Sequence, residues 1–334
     1  MNIYEVIIMI KMAIDMMGSD LGPKALAEGV KAFLKNHNDI ELHLYGDETI
    51  LSKLFSEENV YIHNTTQIVP MEVGSLEFLR LKESSMYCAL SDTAKNDYDA
   101  VVSAGSTGGF LTGATLIIKN IEGVRRAGFC APFLTMIEGK QVAILDIGAS
   151  NHNSAEDLHC FAKLGSIYAN SVWKLDRPGV YILNNGTEEG KGPQEIKDAY
   201  ALMKADESLN FKGNVEAREV MSGNCDVVVC QGFPGNIYLK ASEGMAKNMS
   251  TLLSKAFHHS ILTKLSYLLV RKQIKHMKEI MNYKKIGGAI TLGLNKVVVK
   301  AHGNSDGYSF EHALILAYNM CEANIVEKIK EEFR

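Results

Sequence analysis

One unit of pattern recurs along this chain and limits what it can fold into. A run of β-branched and apolar residues stops abruptly at Gly, Asn, Ser, Thr or Asp, and a helical pattern follows. It occurs at 12–20 (MAIDMMGSD), 99–109 (DAVVSAGSTGG), 142–151 (VAILDIGASN), 180–192 (VYILNNGTEEGKG), 226–236 (DVVVCQGFPGN) and 297–306 (VVVKAHGNSD). ELHLYGD at 41–47 closes in the same way. Strands that are apolar along their whole length are covered on both faces. Alternating with helices, they predict a three-layer α/β/α architecture with a mostly parallel sheet. No residue-level repeat accompanies the pattern, which excludes a solenoid. Ligands of such sheets bind beyond the carboxyl ends of the strands. Polar residues gather at those ends here, so the pattern predicts one crevice lined by several loops.

Composition sets the outer bounds. Of 334 residues, 46% are apolar, enough for a substantial core in one large domain or two smaller ones. The net charge is −4, with both signs interspersed, which argues against a nucleic-acid binder. The cysteines at 88, 130, 160, 225, 230 and 321 form no C-x-x-C pair and none stands near a His at zinc spacing. They read as small buried hydrophobes of a reduced, cytoplasmic chain. No strong metal cluster and no cofactor motif is evident. The segment MNIYEVIIMIKMAIDMM is broken by Glu5, Lys11 and Asp15, too charged for a signal anchor. Residues 1–11 read as an extension or the start of a strand, and 12–334 as a single domain.

Several helices announce themselves. Ser154 and Asp157 have the spacing of a capping box. Pro193 follows Gly192 at an expected first helical turn. A last helix is expected from about Tyr308 to Glu332, with a core stripe through Leu314, Ala317, Tyr318 and Cys321. Residues 244–285 lack strand patterns and read as a helical excursion from the sheet. Leu262, Leu265, Leu268 and Leu269 give it an apolar stripe; Lys264, Arg271, Lys272, Lys275 and Lys278 make it basic. Two compatible readings stand: a dimer interface with a solvated basic face, or a dock for an acidic protein or an anionic membrane.

The loops carry the chemistry. In SAGSTGG, Gly105, Gly108 and Gly109 allow close backbone approach, Ser106 and Thr107 add hydroxyls, and the next helix would aim free N–H groups there. The loop is neither a Walker nor a G-x-G-x-x-G motif. It suits phosphate or a phosphate ester; the alternative is a tight strand-to-helix turn. NNGTEEGKG holds Asn185, Gly186, Thr187, Glu188, Glu189 and Lys191. Lys191 would bind phosphate or stabilise an oxyanion, with Glu188 or Glu189 orienting it. In QGFPGNIYLK, Gln231, Gly232 and Gly235 surround a turn, Asn236 has an N-cap position, and Lys240 lies one turn on. In KAHGNSDG, His302 ends a strand and Ser305 and Asp306 follow; the histidine would donate a proton to a leaving group or bind phosphate. Asp15 and Asp146 also end strands, where they would cap backbone N–H groups or take part in chemistry. There is no G-x-S-x-G elbow and no Cys–His pair, so the chemistry suggested is direct attack by bound phosphate.

These stretches together resemble the bacterial phosphate acyltransferases of phospholipid synthesis. The series AIDMMGSD with Pro23, VVSAGSTGG, LDIGAS, NNGTEEGKG, GNVEARE at 213–219, GFPGNIYLK with ASEG, and KAHGNSD runs in order from about Met12 onward. The resemblance implies a fold similar to isocitrate and isopropylmalate dehydrogenases and a homodimer. It implies reaction of fatty acyl–acyl carrier protein with inorganic phosphate to give acyl phosphate and free carrier protein. The acyl phosphate would pass to a membrane glycerol-3-phosphate acyltransferase, and the enzyme would be cytoplasmic and peripherally membrane-associated. The basic excursion suits both an acidic carrier protein and an anionic membrane. In this reading phosphate sits near Ser106–Gly108 and Lys191, and the thioester carbonyl faces the 232–236 turn. His302 or Lys240 meets the departing thiolate or the oxyanion. Departures from the family pattern are Ser19 for Gly, Ser106 for Asn, Ser150 for Asn, Gln231 for Asp, and Asp306 for an amide. The last two read either as a compensating exchange or as a change of substrate or activity. The rival readings are a nicotinamide-dependent dehydrogenase of the same fold and a non-enzymatic membrane-bound scaffold.

Overall fold

The computed structural model describes residues 9–280 and 283–334. The extension expected over 1–11 lies outside that range except for its last three residues, where the first strand begins. Contacts group the chain into two compact units: one takes in the chain to Phe129, Asn170–Leu175 and Gly287–Arg334, the other Cys130–Ala169 and Asp176–Ile286.

In the first unit the elements are β1 (Ile10–Asp15), α1 (Gly22–Leu34), β2 (Ile40–Gly46), α2 (Glu48–Leu51), β3 (Val60–Asn64), α3 (Ser75–Phe78), α4 (Ser85–Lys95), β4 (Ala100–Ser103) and α5 (Thr107–Gly113). In the second they are β5 (Gly128–Leu134, entering from the first), β6 (Gln141–Leu145), α6 (Ala155–Trp173), β7 (Gly179–Asn184), α7 (Gln194–Ala205), β8 (Asn210–Glu216), β9 (Val227–Val229), α8 (Gly232–His258) and α9 (Ile261–Ile280). The chain ends in the first unit with β10 (Gly288–Leu292), β11 (Val297–Ala301), α10 (Gly307–Glu322) and α11 (Ile325–Glu332).

The strands of the first unit run β3-β2-β1-β4-β11-β10. All are parallel except β10, which is antiparallel to β11. Val101, Val102, Val298 and Val299 are fully buried, as expected for strands covered on both faces. Helices α1 and α10 approach closely because both carry glycine at the contact. A Cβ on Gly29 would stand 2.6 Å from the Gly307 carbonyl oxygen.

The second unit has the order β5-β6-β9-β7-β8, with β5 antiparallel and the rest parallel. All the strands read from the sequence form. β3, β5, β8 and β10 were not legible as strands, each for a local reason. β5 contains Pro132, β8 is interrupted by a bulge at Gly213 (φ +101°) opposite Val180/Tyr181, and β3 (VYIHN) and β10 (GAITL) are short and weakly patterned.

The helix signals hold in part: Asn236, expected at an N-cap, lies inside α8, whose N-cap position is Gln231, and Pro193 stands at the N-cap position of α7 and not in its first turn. The capping box is formed: Asp157 N–H donates to Ser154 Oγ (3.2 Å) and Ser154 N–H to Asp157 Oδ2 (3.1 Å). The expected last helix is two helices, because Asn324 takes a left-handed conformation (φ 51°) between α10 and α11. The excursion does not begin afresh at 244. It continues α8, which opens at the QGFPGN turn and runs unbroken to His258. Ser260 then starts α9, its Oγ accepting from Thr263 N–H at 3.2 Å. Of the cysteines, Cys88 and Cys321 are half-buried and the other four buried; all are free thiols.

A cluster in the first unit makes stability depend on pH. His43, 8% exposed on β2, places Nε2 2.9 Å from Glu41 and Nδ1 2.9 Å from both Tyr98 Oη and His63 Nε2. With the Nε2–H donating to Glu41, Nδ1 is an acceptor, so a second proton on His43 would face the donors of Tyr98 and His63. Burial is the largest cause that lowers the pKa of both histidines, and His63 lowers that of His43 further against the opposing pull of Glu41. A depressed histidine pKa means that the unfolded chain binds more protons. Its stabilisation is therefore complete above about pH 6.5 and lost as pH falls through the folded values. Urea midpoints are expected to fall between pH 7 and pH 5, and His63→Gln to flatten that dependence.

Candidate active site

Each unit gathers its polar loops at the carboxyl edge of its own parallel strands. In the first unit these loops follow β1, β4 and β11, which are neighbours in register. Asp15 ends β1 fully buried. Its carboxylate accepts from Ser85 Oγ (2.6 Å), Ser103 Oγ (2.7 Å) and Met17 N–H (3.2 Å). Ser103 Oγ in turn accepts from Gly105 N–H at 3.0 Å. A Cβ on Gly18 would lie 2.7 Å from Gly105 Cα, so these two loops touch through bare backbone. Gly105 is thus tightly packed against the first loop.

Gly108 differs. It is exposed, and an added Cβ there would meet nothing within 4 Å. Ser106 is the N-cap of α5, accepting from Gly109 N–H at 3.3 Å. Its hydroxyl does the work that an Asn would do there. Phe110 N–H bonds to Ser106 O. Among the described residues, the Thr107 and Gly108 N–H groups find no protein acceptor, and both residues are exposed.

The loop after β11 lies beside them by strand order. Ser19 Oγ and Asp20 N–H both donate to Gly303 O, at 3.1 and 2.9 Å, which holds the 302–305 turn against the first loop. His302 is half-buried. Ser305 is 1% exposed, and its Oγ has no hydrogen-bond partner among the described residues. Asp306 caps α10 through Ser309 N–H at 2.9 Å.

In the second unit the loops follow β6, β9 and β7, again neighbours. Asp146 is fully buried and accepts from the backbone of Gly148 (3.0 Å), Ala149 (2.8 Å) and Ser150 (3.1 Å) and from Ser150 Oγ (3.3 Å). It is a capping carboxylate. Asn153, also fully buried, links this loop to α8. Its Nδ2 donates to Ser150 Oγ (2.6 Å), and its Oδ1 accepts from Gly232 N–H (3.0 Å). Gln231 holds the N-cap position without capping; its Nε2 donates to Asn153 O at 3.2 Å. Asn153 has taken over the cap that Gln231 does not supply.

The first turn of α8 is thus nearly spent as a donor. Gly232 N–H goes to Asn153, Gly235 N–H to Gln231 O at 3.0 Å, and Pro234 has none. Phe233 N–H remains, on an exposed residue, beside the exposed Asn236 that packs on Gly148. Lys240 points to solvent, 3.4 Å from Glu243. Cys230 Sγ donates to Asp146 O at 3.1 Å, and burial pushes that thiol far up, so it acts as a protonated donor.

The NNGTEEGKG loop is folded back on itself by two asparagines. Asn184 Nδ2 donates to Lys191 O (3.0 Å) and to Asn214 Oδ1 (3.0 Å), and its Oδ1 accepts from Asn185 N–H (2.8 Å). Asn214 Nδ2 donates to Glu188 O at 2.7 Å, which gives the GNVEARE stretch a concrete task. Gly192 (φ +87°) closes the loop. Lys191 is left about half exposed (51%), 3.9 Å from Glu188. Glu189 pairs instead with Lys204 at 2.9 Å. Asn185, Thr187 and Glu188 are exposed and Gly186 is half-buried.

The candidates therefore fall into two sets. The first unit carries Gly105–Gly108, His302 and Ser305; the second carries Asn185–Lys191, Gln231–Asn236 and Lys240. Asn153, Asn184 and Asn214 hold the second set; of these only Asn184, half of the amide pair that opens NNGTEEGKG, was visible in the sequence. Among the described residues no group of three or more His, Cys, Asp or Glu is placed to hold a metal ion.

Residues 10–328 match the family described as "Fatty acid synthesis protein". The chain belongs to this family. A relative named "Phosphate acyltransferase", from Streptococcus pneumoniae (strain Hungary19A-6), is 40% identical over 326 residues, covering 97% of this chain and 98% of its own length. Among solved structures, a phosphotransacetylase from Streptococcus pyogenes aligns with a TM-score of 0.62 at 16% identity, over 95% of this chain and 94% of that one. A 4-hydroxythreonine-4-phosphate dehydrogenase from Klebsiella pneumoniae aligns at 0.53 and 12% identity, over 92% and 98%. At such identities the likeness is one of fold, and it agrees with the α/β architecture read from the sequence.

Proposed function

We propose that this chain is an acyltransferase that moves a fatty acyl group from acyl carrier protein to inorganic phosphate, giving acyl phosphate for phospholipid synthesis. The observation that carries the reading is the 40% identity over 97% of the chain to proteins named phosphate acyltransferase. In the reaction a phosphate oxygen attacks the thioester carbonyl, a tetrahedral oxyanion forms, the C–S bond breaks, and the carrier leaves as a thiol once its thiolate gains a proton. Phosphate is already an anionic nucleophile near neutral pH, so placement and charge stabilisation are what a protein must add.

Within the first unit, the Thr107 and Gly108 N–H groups and the Ser305 hydroxyl are donors suited to phosphate, and His302 is suited to supply a proton or a further phosphate contact. Within the second, Lys191 is a cation suited to developing negative charge, and Phe233 N–H and the Asn236 amide are donors suited to an oxyanion. Lys240 is the second cation.

The excursion would meet the partners. α9 buries none of its side chains; Leu262, Leu265, Leu268 and Leu269 are exposed, the last at 85%. Lys264, Arg271, Lys272 and Lys275 share that exposed helix. An apolar stripe edged by cations suits an acidic carrier protein, an anionic membrane surface or a second copy in a homodimer. No helix among the described residues is long and apolar enough to cross a membrane. The test is incubation with long-chain acyl carrier protein and phosphate, with hydroxylamine trapping of acyl phosphate. Phosphate-dependent hydroxamate is the expected result; its absence would overturn the reading, and reduction of a nicotinamide by a hydroxy acid would put a dehydrogenase in its place.

A further inference from the structure

The second unit holds a cavity of about 480 Å³ that none of the loops above uses. It lies between α8, the end of β5, the turn after β8, and Ile280 and Ile286 beyond. Its volume is inside the range of roughly 300–1,000 Å³ usual for small-ligand sites. α8 contributes Tyr238, Ala241, Ser242, Met245 and Ala246, a stripe at i, i+3, i+4, i+7 and i+8. Three of these five side chains are small, so the stripe leaves a channel along the helix instead of filling it. Phe133 forms the facing wall, its ring 6.3 Å from that of Tyr238. The charged groups of the lining are Arg218, largely exposed, and Glu243, which Lys240 meets at 3.4 Å.

We infer that this cavity takes the distal methylenes of a fatty acyl chain, the apolar end of the acyl-transfer substrate. The inference rests on the acyl-transfer reading. An unbranched alkyl tail has no hydrogen-bonding group and needs a concave site whose charges are kept to a few side chains, which is what this lining offers. Arg218, the cation of the lining, is turned to Glu216 at 2.8 Å, so its charge is matched outside the apolar wall. The cavity also lies along the helix whose first turn carries Phe233 and Asn236. Tyr238 is five residues beyond Phe233, about 7.5 Å at the helical rise.

The test fills the channel. Ala246→Trp is made, with Ala241→Leu as a milder second variant, and the fold of each is checked by circular dichroism. Two readouts are taken: binding of the fluorescent fatty acid cis-parinaric acid, and the ratio of kcat/KM for C16 over C8 acyl donors. Each buried methylene is worth about 0.8 kcal/mol, roughly fourfold, so displacing two or more predicts at least a tenfold loss in both readouts. An unchanged parinaric affinity and an unchanged C16-to-C8 ratio in a folded variant would overturn the inference while leaving acyl transfer standing. Loss of parinaric binding in a protein that makes no acyl phosphate from any donor would sink the reaction and leave the chain site. A change in oligomeric state by light scattering, with fatty-acid binding intact, would instead assign this face to a second copy and overturn the inference.

Discussion

Lys191→Ala is expected to lower kcat for acyl phosphate formation about 100-fold or more while leaving the melting temperature unchanged. The lysine is half exposed, and its pairing with Glu188 is long at 3.9 Å, so the pair contributes little to stability. Its backbone, by contrast, is held by Asn184 and follows the Glu188 carbonyl that Asn214 anchors, so the ammonium is carried on a fixed loop. A donor fixed where charge develops in a transition state is worth on the order of 10²–10³ in kcat. Lys191→Arg should retain part of the rate, and Glu188→Gln should change it far less than loss of the lysine. The measurement is steady-state hydroxamate formation beside a thermal melt. Full turnover in Lys191→Ala would remove this residue from the mechanism.

The second large effect is on folding. Gly235→Ala should destabilise the protein by about 3 kcal/mol or more, because an added methyl would stand 1.9 Å from the Asp146 carbonyl oxygen. Backbone is the obstacle, so no side-chain rotation relieves the clash. Gly232 is as tightly held, its added Cβ 2.0 Å from Ser150 O. Gly108→Ala is the control: no atom lies within 4 Å of the new methyl, and stability should stay within about 0.5 kcal/mol of wild type. Chemical denaturation of the three proteins checks the contrast. Equal stability of Gly235→Ala and Gly108→Ala would mean that the first turn of α8 does not seat on the Asp146 loop as described.

That contrast also marks where the sequence could be read and where it could not. The strand-to-loop pattern located the strands it named and the polar loops at their carboxyl ends, because continuous apolar runs ending in small polar residues have few other uses. It did not distinguish one glycine from another. Gly105, Gly232 and Gly235 are required by neighbours far away in the chain, whereas Gly108 is open, and only the folded contacts separate the two classes. Two of the asparagines were obscured for the same reason. Asn153 caps a helix 79 positions further on, and Asn214 braces a loop 26 positions before it. Local spacing carries no trace of such partners. Strands β5 and β8 were hidden by Pro132 and by the Gly213 bulge, features that usually argue against a strand. The capping box at Ser154 was legible because both its partners lie within one turn.

The unbroken course of α8 has a mechanical consequence. Its 27 residues amount to about 40 Å of helix with no hinge between the turn at Gln231 and the segment that meets Ser260. A rod of that kind tilts as a whole. Any displacement of its outer end would therefore carry Phe233 and Asn236 with it, against the loop anchored by Asn153.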